Sequence, residues 1–296
     1  MAIPEHQLET WSHQGSQAQS AGTYQTIKRV LDDPSSPYYQ WSYRIFLQGS
    51  YGNDTNIYAD SDVDVVICLT SVYYGDISYL KDEEKARYEA NRSPGGINFS
   101  EFKTEVLTWL KEKFGAGVKV GKKAIFIPGN GTRRDADVLV CVANRTFTSY
   151  PTTGEPAFVE GVCFWTTDGE KIVNYPKQHL DNCTTKNSAT SSRFKPSIRV
   201  LKNMRNTMVD QGYLKDGIAP PYYLEGMLSN VPTQHFVASR QGTFENYMHW
   251  LQTCATGDLT CANGIHYLLR DGYSVCWNVA DFNAFRASAV AFYSQW

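Results

Sequence analysis

No apolar stretch in this 296-residue chain approaches the roughly 20 residues that a membrane-spanning helix needs, which excludes a helical membrane protein. The opening MAIPEHQLETW lacks the basic-then-apolar layout of a secretory signal, so a cytoplasmic protein with no membrane partner is expected. Cysteine follows no pairing pattern: seven residues, an odd number, lie scattered at 68, 141, 163, 183, 254, 261 and 276. Several sit inside apolar runs, which fits reduced core thiols and argues against a disulfide framework. Cys254 and Cys261 lack the tight spacing and nearby histidines of a structural zinc site. The six histidines fall at no ligand spacing, and His179 in YPKQH is expected only to serve the start of a helix. Excess charge is equally scarce. A net charge of −2 gives no global attraction for nucleic acid, so a bound polyanion must be small or gripped by a few placed cations.

What is present is enough chain for a substantial core. Residues 5–31 carry Leu8, Trp11, Ala21, Tyr24, Ile27 and Leu31 on one stripe, which predicts a single helix stopped at Asp32-Asp33-Pro34. YRIFLQ (43–48) and DVDVVICL (62–69) predict strands, and 76–113 a helical pattern broken at SPGG (93–96). GVKVGK, AIFI and ADVLVCV predict further strands, and 157–176 a hairpin turning at Asp168-Gly169. Helical patterns then dominate: 174–187, 192–211, 220–229, 233–255 and 281–294. Pro196 falls in the first turn of the second of these, where proline is tolerated. The expected class is α/β (α+β), with a mixed-sheet domain over 1–173 and a helical domain over 174–296 closing a cleft, the N-terminal helix packing across both.

Four aspartates, Asp54, Asp60, Asp62 and Asp64, stand before or inside an apolar strand. In a strand, residues two apart share a face, so Asp62 and Asp64 point one way while Val63, Val65 and Ile67 point into the core. Parallel carboxylates repel unless positive charge lies between them, and Mg²⁺ supplies it through oxygen ligands. In the later DADVLVCV, Asp137 can complete a three-carboxylate site if that strand lies beside the first. Such a site holds two ions about 4 Å apart, one activating a hydroxyl and one gripping a triphosphate. A lone D-x-D is most often a solvated strand end; the upstream Gly49-Ser50 turn and the third acid downstream favour the metal site. Gly49 lets backbone approach a phosphate, and Ser50 can donate to its oxygens. Asp54 and Asp60 are expected to belong to turn and loop. Lys195, Arg199 and Lys202 follow at i, i+4 and i+7, a basic helix face that is either simply solvated or, with a triphosphate site beside it, binds phosphate; the neighbouring site favours binding.

Gly49-Ser50, D-x-D and a third aspartate resemble the signature of the polymerase-β-like nucleotidyltransferases. PEHQLETWSHQG, QGSYGNDTNI, DSDVDVV, ADVLVCV, VNYPKQH, the KN, KP and KN.R run over 186–205 and AP.Y.LE...NVP resemble the bacterial cGAS/DncV-like nucleotidyltransferases (CD-NTases), clade E most closely. These motifs run from residue 4 to 232. The resemblance implies a mixed-sheet catalytic domain and a helical domain like that of oligoadenylate synthase. It implies a cytoplasmic, monomeric enzyme that makes a cyclic dinucleotide from nucleoside triphosphates without a nucleic-acid template and with release of pyrophosphate. The product would be a second messenger acting on an antiphage effector (CBASS). By the same resemblance Asp62, Asp64 and Asp137 hold two Mg²⁺, for which Mn²⁺ can substitute, and Asp137 helps deprotonate the attacking ribose hydroxyl. Gly49 and Ser50 hold phosphate, Lys202 reaches the triphosphate with Lys195 beside it, and a base stacks on Tyr222.

Asn174 matches a position associated in clade E with uridine nucleotides, so UTP is the favoured substrate with ATP as a partner. The expected product is cyclic di-UMP or cyclic UMP–AMP. An amide can match uracil, but if flipped it can match cytosine. Pro221 replaces a serine common in relatives, removing one triphosphate contact, and Gly226 replaces a bulkier residue, which would enlarge the space beneath the base. Two other readings share these residues. One is transfer of a nucleotide to a protein, RNA or small molecule, which only the products distinguish. The other is a non-catalytic nucleotide-binding scaffold, which the presence of all three aspartates disfavours.

Overall fold

Two 14-residue strands, β2 (Val63–Asp76) and β5 (Ala136–Ser149), run parallel within a sheet of seven strands in the computed structural model, which describes residues 3–15, 17–58 and 62–296. β1 (Tyr43–Leu47) pairs antiparallel with β2. The first residues of β5 pair with β4 (Ile125–Ile127), which pairs in turn with β3 (Lys119–Val120). Later residues of β5 pair with β6 (Ala157–Trp165), and β6 with β7 (Lys171–Asn174), a hairpin whose turn uses Gly169 at φ +84°. Val63 and the run from Val65 to Leu69 are all buried, as in a strand covered on both faces.

The chain divides into two compact units, a sheet unit of residues 18–48 and 61–176 and a helical unit of residues 1–17, 49–60 and 177–296. The last crossing between the units falls at 176/177, and segments 1–17 and 49–60 belong to the helical unit. In the sheet unit, α2 (Ala18–Leu31) packs on β2 and α5 (Phe99–Phe114) on β5. α5 buries Phe99, Phe102, Val106, Trp109 and Leu110, the stripe its sequence spells out, and Asn98 caps it by accepting the Ser100 and Glu101 N–H groups. The smaller α4 (Asp82–Ala90) precedes it.

The helical unit contains α1 (Glu5–Ser12), the short α3 (Gly49–Gly52), α6 (Pro176–Ala189), α7 (Phe194–Asp210), α8 (Pro221–Asn230), α9 (Arg240–Thr253) and α10 (Val279–Tyr293). Its core joins Ile3 and Leu8 to Phe194, Ile198, Leu201 and Met204 of α7. The single helix expected over 5–31 is in fact two, α1 and α2, which belong to different units. Gly15 lies between them so close to Ile57 that a Cβ would sit 2.4 Å from its carbonyl oxygen. Apolar spacing continues across this break, so periodicity alone does not register it. The helix expected from 233 starts as a 3-10 turn, Thr233–His235, and becomes α-helical at Arg240 behind the Ser239 cap. β2 and β5 run past their expected ends, β2 through an irregularity between Leu69 and Tyr73. Five of the seven cysteines are buried. Among the described residues no helix is long and apolar enough to cross a membrane.

Candidate active site

Strand pairing sets Asp64 of β2 beside Asp137 of β5, in register across the parallel pair. Neighbouring strands lie about 4.8 Å apart, and in-register residues face the same side of the sheet. Asp62 has the parity of Asp64 and is exposed, whereas Asp64 and Asp137 are half-buried and Val63, Val65, Ala136 and Val138 fully buried. Strand alternation thus turns Asp64 and Asp137 to one face at the start of both strands while their apolar neighbours fill the core, and Asp62, just before β2, lies near enough for its charge to act on Asp137. Burial, together with the charges of Asp62 and Asp135, pushes the Asp137 carboxyl above the usual carboxylate range. Asp135 is engaged elsewhere: its Oδ1 accepts the Gly129 N–H at 2.5 Å. Asp62, Asp64 and Asp137 therefore offer an all-oxygen, like-charged donor set, and that set fits a hard divalent cation. Asp60 lies outside the described residues.

The remaining expected residues, except Asn174, belong to the helical unit. Gly49 adopts φ +66°, a left-handed conformation that suits glycine. Its carbonyl accepts the Asn53 N–H at 3.1 Å, and the Ser50 carbonyl accepts the Thr55 N–H at 2.9 Å, closing a turn over 49–55. Lys195, Arg199 and Lys202 do share a face of α7, but all three hold this turn. Lys195 Nζ lies 3.1 Å from Asp54 Oδ2, and Arg199 donates to the Asp54 carbonyl at 2.7 Å. Lys202 Nζ donates to the Thr55 carbonyl at 3.1 Å and pairs with Glu225 at 3.0 Å. Lys202 is fully buried, with its ammonium turned toward Thr55 and Glu225. A carboxylate beneath it holds the ammonium inward, and sequence spacing reveals the shared face but not what covers it.

Tyr222 stacks on His179, ring centroids 5.2 Å apart and planes 27° from parallel, and its hydroxyl accepts from Asn263 Nδ2 at 3.1 Å. One ring face is therefore already covered. Asn174 ends β7, and its Oδ1 accepts the Tyr175 N–H at 2.9 Å. A backbone N–H only donates, so the amide oxygen must face it and the NH₂ group is the part presented. Gly226 opens no extra space: a Cβ there would meet Leu268 at 3.0 Å and the Cys261 Cα at 3.2 Å, so the glycine permits close packing of α8. Pro221 occupies the first turn of α8, where its missing N–H costs no helical bond.

Sequence reasoning gave no role to Asn53, Thr55 or Glu225 and only a helix start to His179, although each lies within a motif segment. Glu225 is buried. Oε2 accepts from His179 Nε2 at 2.7 Å and Asn53 Nδ2 at 3.1 Å, while Oε1 accepts from Lys202 and the Thr55 hydroxyl. Burial alone would raise this carboxyl, but Lys202, His179 and Thr55 outweigh it and hold the group well below the usual range. The signal was present in LEG: an acid in the middle of an apolar helix face needs a buried counter-charge. His179, Cys183 and Glu225 also bring ligand-type atoms within 4.8 Å of one another. That set does not suit a cation, because burial keeps the Cys183 thiol protonated and an ammonium already occupies the carboxylate.

A model of the cGAS/DncV-like nucleotidyltransferase C-terminal helical domain matches residues 181–294. The chain belongs to the cGAS/DncV-like nucleotidyltransferases, and its mixed sheet with a helical partner is the fold of that polymerase-β-like class. It is 36% identical to the cyclic UMP-AMP synthase of Rhodothermus marinus, over 89% of this chain and 88% of that protein. The solved structure of Rhodothermus marinus CdnE c-UMP-AMP synthase with Apcpp and Upnpp matches with a TM-score of 0.88 at 33% identity, covering 99% of this chain and 97% of that one. A cyclic dipurine nucleotide synthase of Elizabethkingia meningoseptica is 31% identical over 80% of both chains. The chain is a nucleotidyltransferase whose relatives are cyclic nucleotide synthases, and those relatives differ in the bases they join.

Proposed function

We propose that this enzyme joins nucleoside triphosphates into a uridine-containing cyclic dinucleotide, cyclic UMP–AMP or cyclic di-UMP, which acts as a second messenger for an antiphage (CBASS) effector. The observation that carries the reading is the in-register pair of Asp64 and Asp137, with Asp62 near enough for its charge to act on Asp137. In each of two rounds a ribose hydroxyl attacks the α-phosphorus of a triphosphate. The new P–O bond forms as the bond to pyrophosphate breaks, and the hydroxyl proton leaves toward Asp137. Asp137 suits that role because burial and neighbouring charge raise its proton affinity. Asp62, Asp64 and Asp137 would hold two Mg²⁺, which supply charge for the triphosphate and lower the cost of ionising the hydroxyl. The turn at Gly49-Ser50 would present backbone and hydroxyl donors to phosphate, and Lys195 would lend charge near it. Tyr222 would stack a base on the face away from His179.

Asn174 supports uridine. With its oxygen taken by the Tyr175 N–H, the amide presents donors, which match the O4 acceptor of uracil. The same position in cytosine or adenine carries an amino group, which would meet donor with donor. The test is incubation of the pure protein with each NTP, and with pairs, in Mg²⁺, followed by mass spectrometry. A cyclic product containing UMP is expected. A purine-only product would remove the Asn174 argument, and transfer of a single nucleotide to another acceptor would replace synthase activity with modification.

A further inference from the structure

Side chains from four motif segments, none of them assigned a step in the proposed chemistry, meet at one buried point. Glu225 of α8 accepts from Asn53 and Thr55 in the turn that starts at Gly49-Ser50, from His179 of α6 and from Lys202 of α7. The network is closed. Two carboxylate oxygens take four donors, and the three hydrogens of Lys202 have the Thr55 carbonyl, the Thr55 hydroxyl and Glu225 as acceptors, at 3.1, 3.2 and 3.0 Å. An ionised carboxylate only accepts, so His179 carries its proton on Nε2, and Nδ1 has no hydrogen-bond partner among the described residues. That fixes the imidazole on which Tyr222 stacks.

We infer that Glu225 is a positioning residue: with Lys202 it fixes the 49–55 turn and, through His179, the ring of Tyr222, so that one buried ion pair sets both the phosphate grip and the base platform. Direct anchoring explains why a lysine and a glutamate are buried together at a site where apolar side chains would also fill space. Apart from the half-buried Tyr51, the turn is built of small and polar residues: Asn53 and Thr55 are buried polar side chains, and Asp54 adopts φ +55°. Its polar contacts converge on Lys202, Glu225, Lys195 and Arg199.

The inference rests on the proposed roles of Gly49-Ser50 and Tyr222, and its test separates the two. Glu225→Gln would leave the Lys202 ammonium buried without a counter-charge and risks unfolding, so the primary variants are Thr55→Val and Thr55→Ser. Calorimetry measures the affinity of a non-hydrolysable UTP analogue in Mg²⁺, and hydrogen exchange follows the amides of 50–57. Thr55→Val loses a hydrogen bond to a charged group, so it should weaken the analogue about tenfold, speed exchange across the turn and lower the melting temperature by several degrees while the protein stays folded at the assay temperature. Thr55→Ser should restore both to within about twofold by keeping the hydroxyl. The inference is overturned if folded Thr55→Val binds as tightly as the parent, or if Thr55→Ser is as weak as Thr55→Val. A parent that binds the analogue with this Thr55 dependence yet forms no cyclic product supports the inference and sinks the synthase reading.

Discussion

Two groups of carboxylates in this protein are handled in opposite ways. In the sheet unit, Asp137 stands in register with Asp64, and burial with the charges of Asp62 and Asp135 pushes its carboxyl up. In the helical unit, Glu225 is more deeply buried, yet Lys202, His179 and Thr55 hold it down. The first arrangement leaves negative charge in excess, which is useful only if a cation and its phosphates arrive. The second is neutralised from within and needs no ligand. A buried acid is therefore not by itself a mark of catalysis; the sign of the field that the chain builds around it distinguishes chemistry from anchoring.

The largest effect expected from breaking this contrast is on turnover. Asp62→Asn or Asp137→Asn should lower product formation at least about 10³-fold while the protein stays folded, because charge that holds Mg²⁺ is lost. Quantified product under saturating NTP checks it, and unchanged turnover would remove the residue from the site. Next comes Lys202→Met, which strands Glu225 and should cost about 3–5 kcal/mol in urea unfolding. A loss below about 1 kcal/mol would mean that the pair is not load-sharing with the turn. Asn174→Ser should shift the UTP-over-ATP ratio of kcat/KM about tenfold toward ATP, a change of about 1.4 kcal/mol. An unmoved ratio would place base selection elsewhere.

The smallest effect is a pH dependence. Glu225 has a folded pKa below its unfolded value of about 4.3, so its stabilisation is complete above that value and is lost progressively as pH falls from there through the folded pKa. About 1 kcal/mol should go by pH 3.5 from this group. Urea midpoints at pH 6 and 3.5 should therefore differ less in the Lys202→Met, Glu225→Leu double variant, which removes both charges together, than in the parent, and an equal difference would contradict the assignment.

Element types and the acidic face were readable from residues alone, because strand parity and helix spacing report which side chains share a face. DVDVV and ADVLV announce two strands with carboxylates on one side, and the observed register joins them. What covers each face depends on residues far away in sequence. Spacing marks Lys202 as one of three cations on a stripe, but its burial is set by Glu225, 23 positions on, and by Thr55. Gly15 likewise carries no local sign that Ile57 presses on it. Gly226 reads as missing bulk until the backbone at Cys261 is seen to fill the space.

The most direct test is the product yield of Asp64→Asn in Mg²⁺ with UTP and ATP, measured on protein whose melting temperature is taken in the same buffer without nucleotide or metal. Removing one of several crowded like charges should leave the melting temperature within about 3 °C of the parent, or above it, and cyclic product should be undetectable. Product at the parental level, or a yield that falls only in step with lost folded protein, would contradict the assignment of this face to the chemistry.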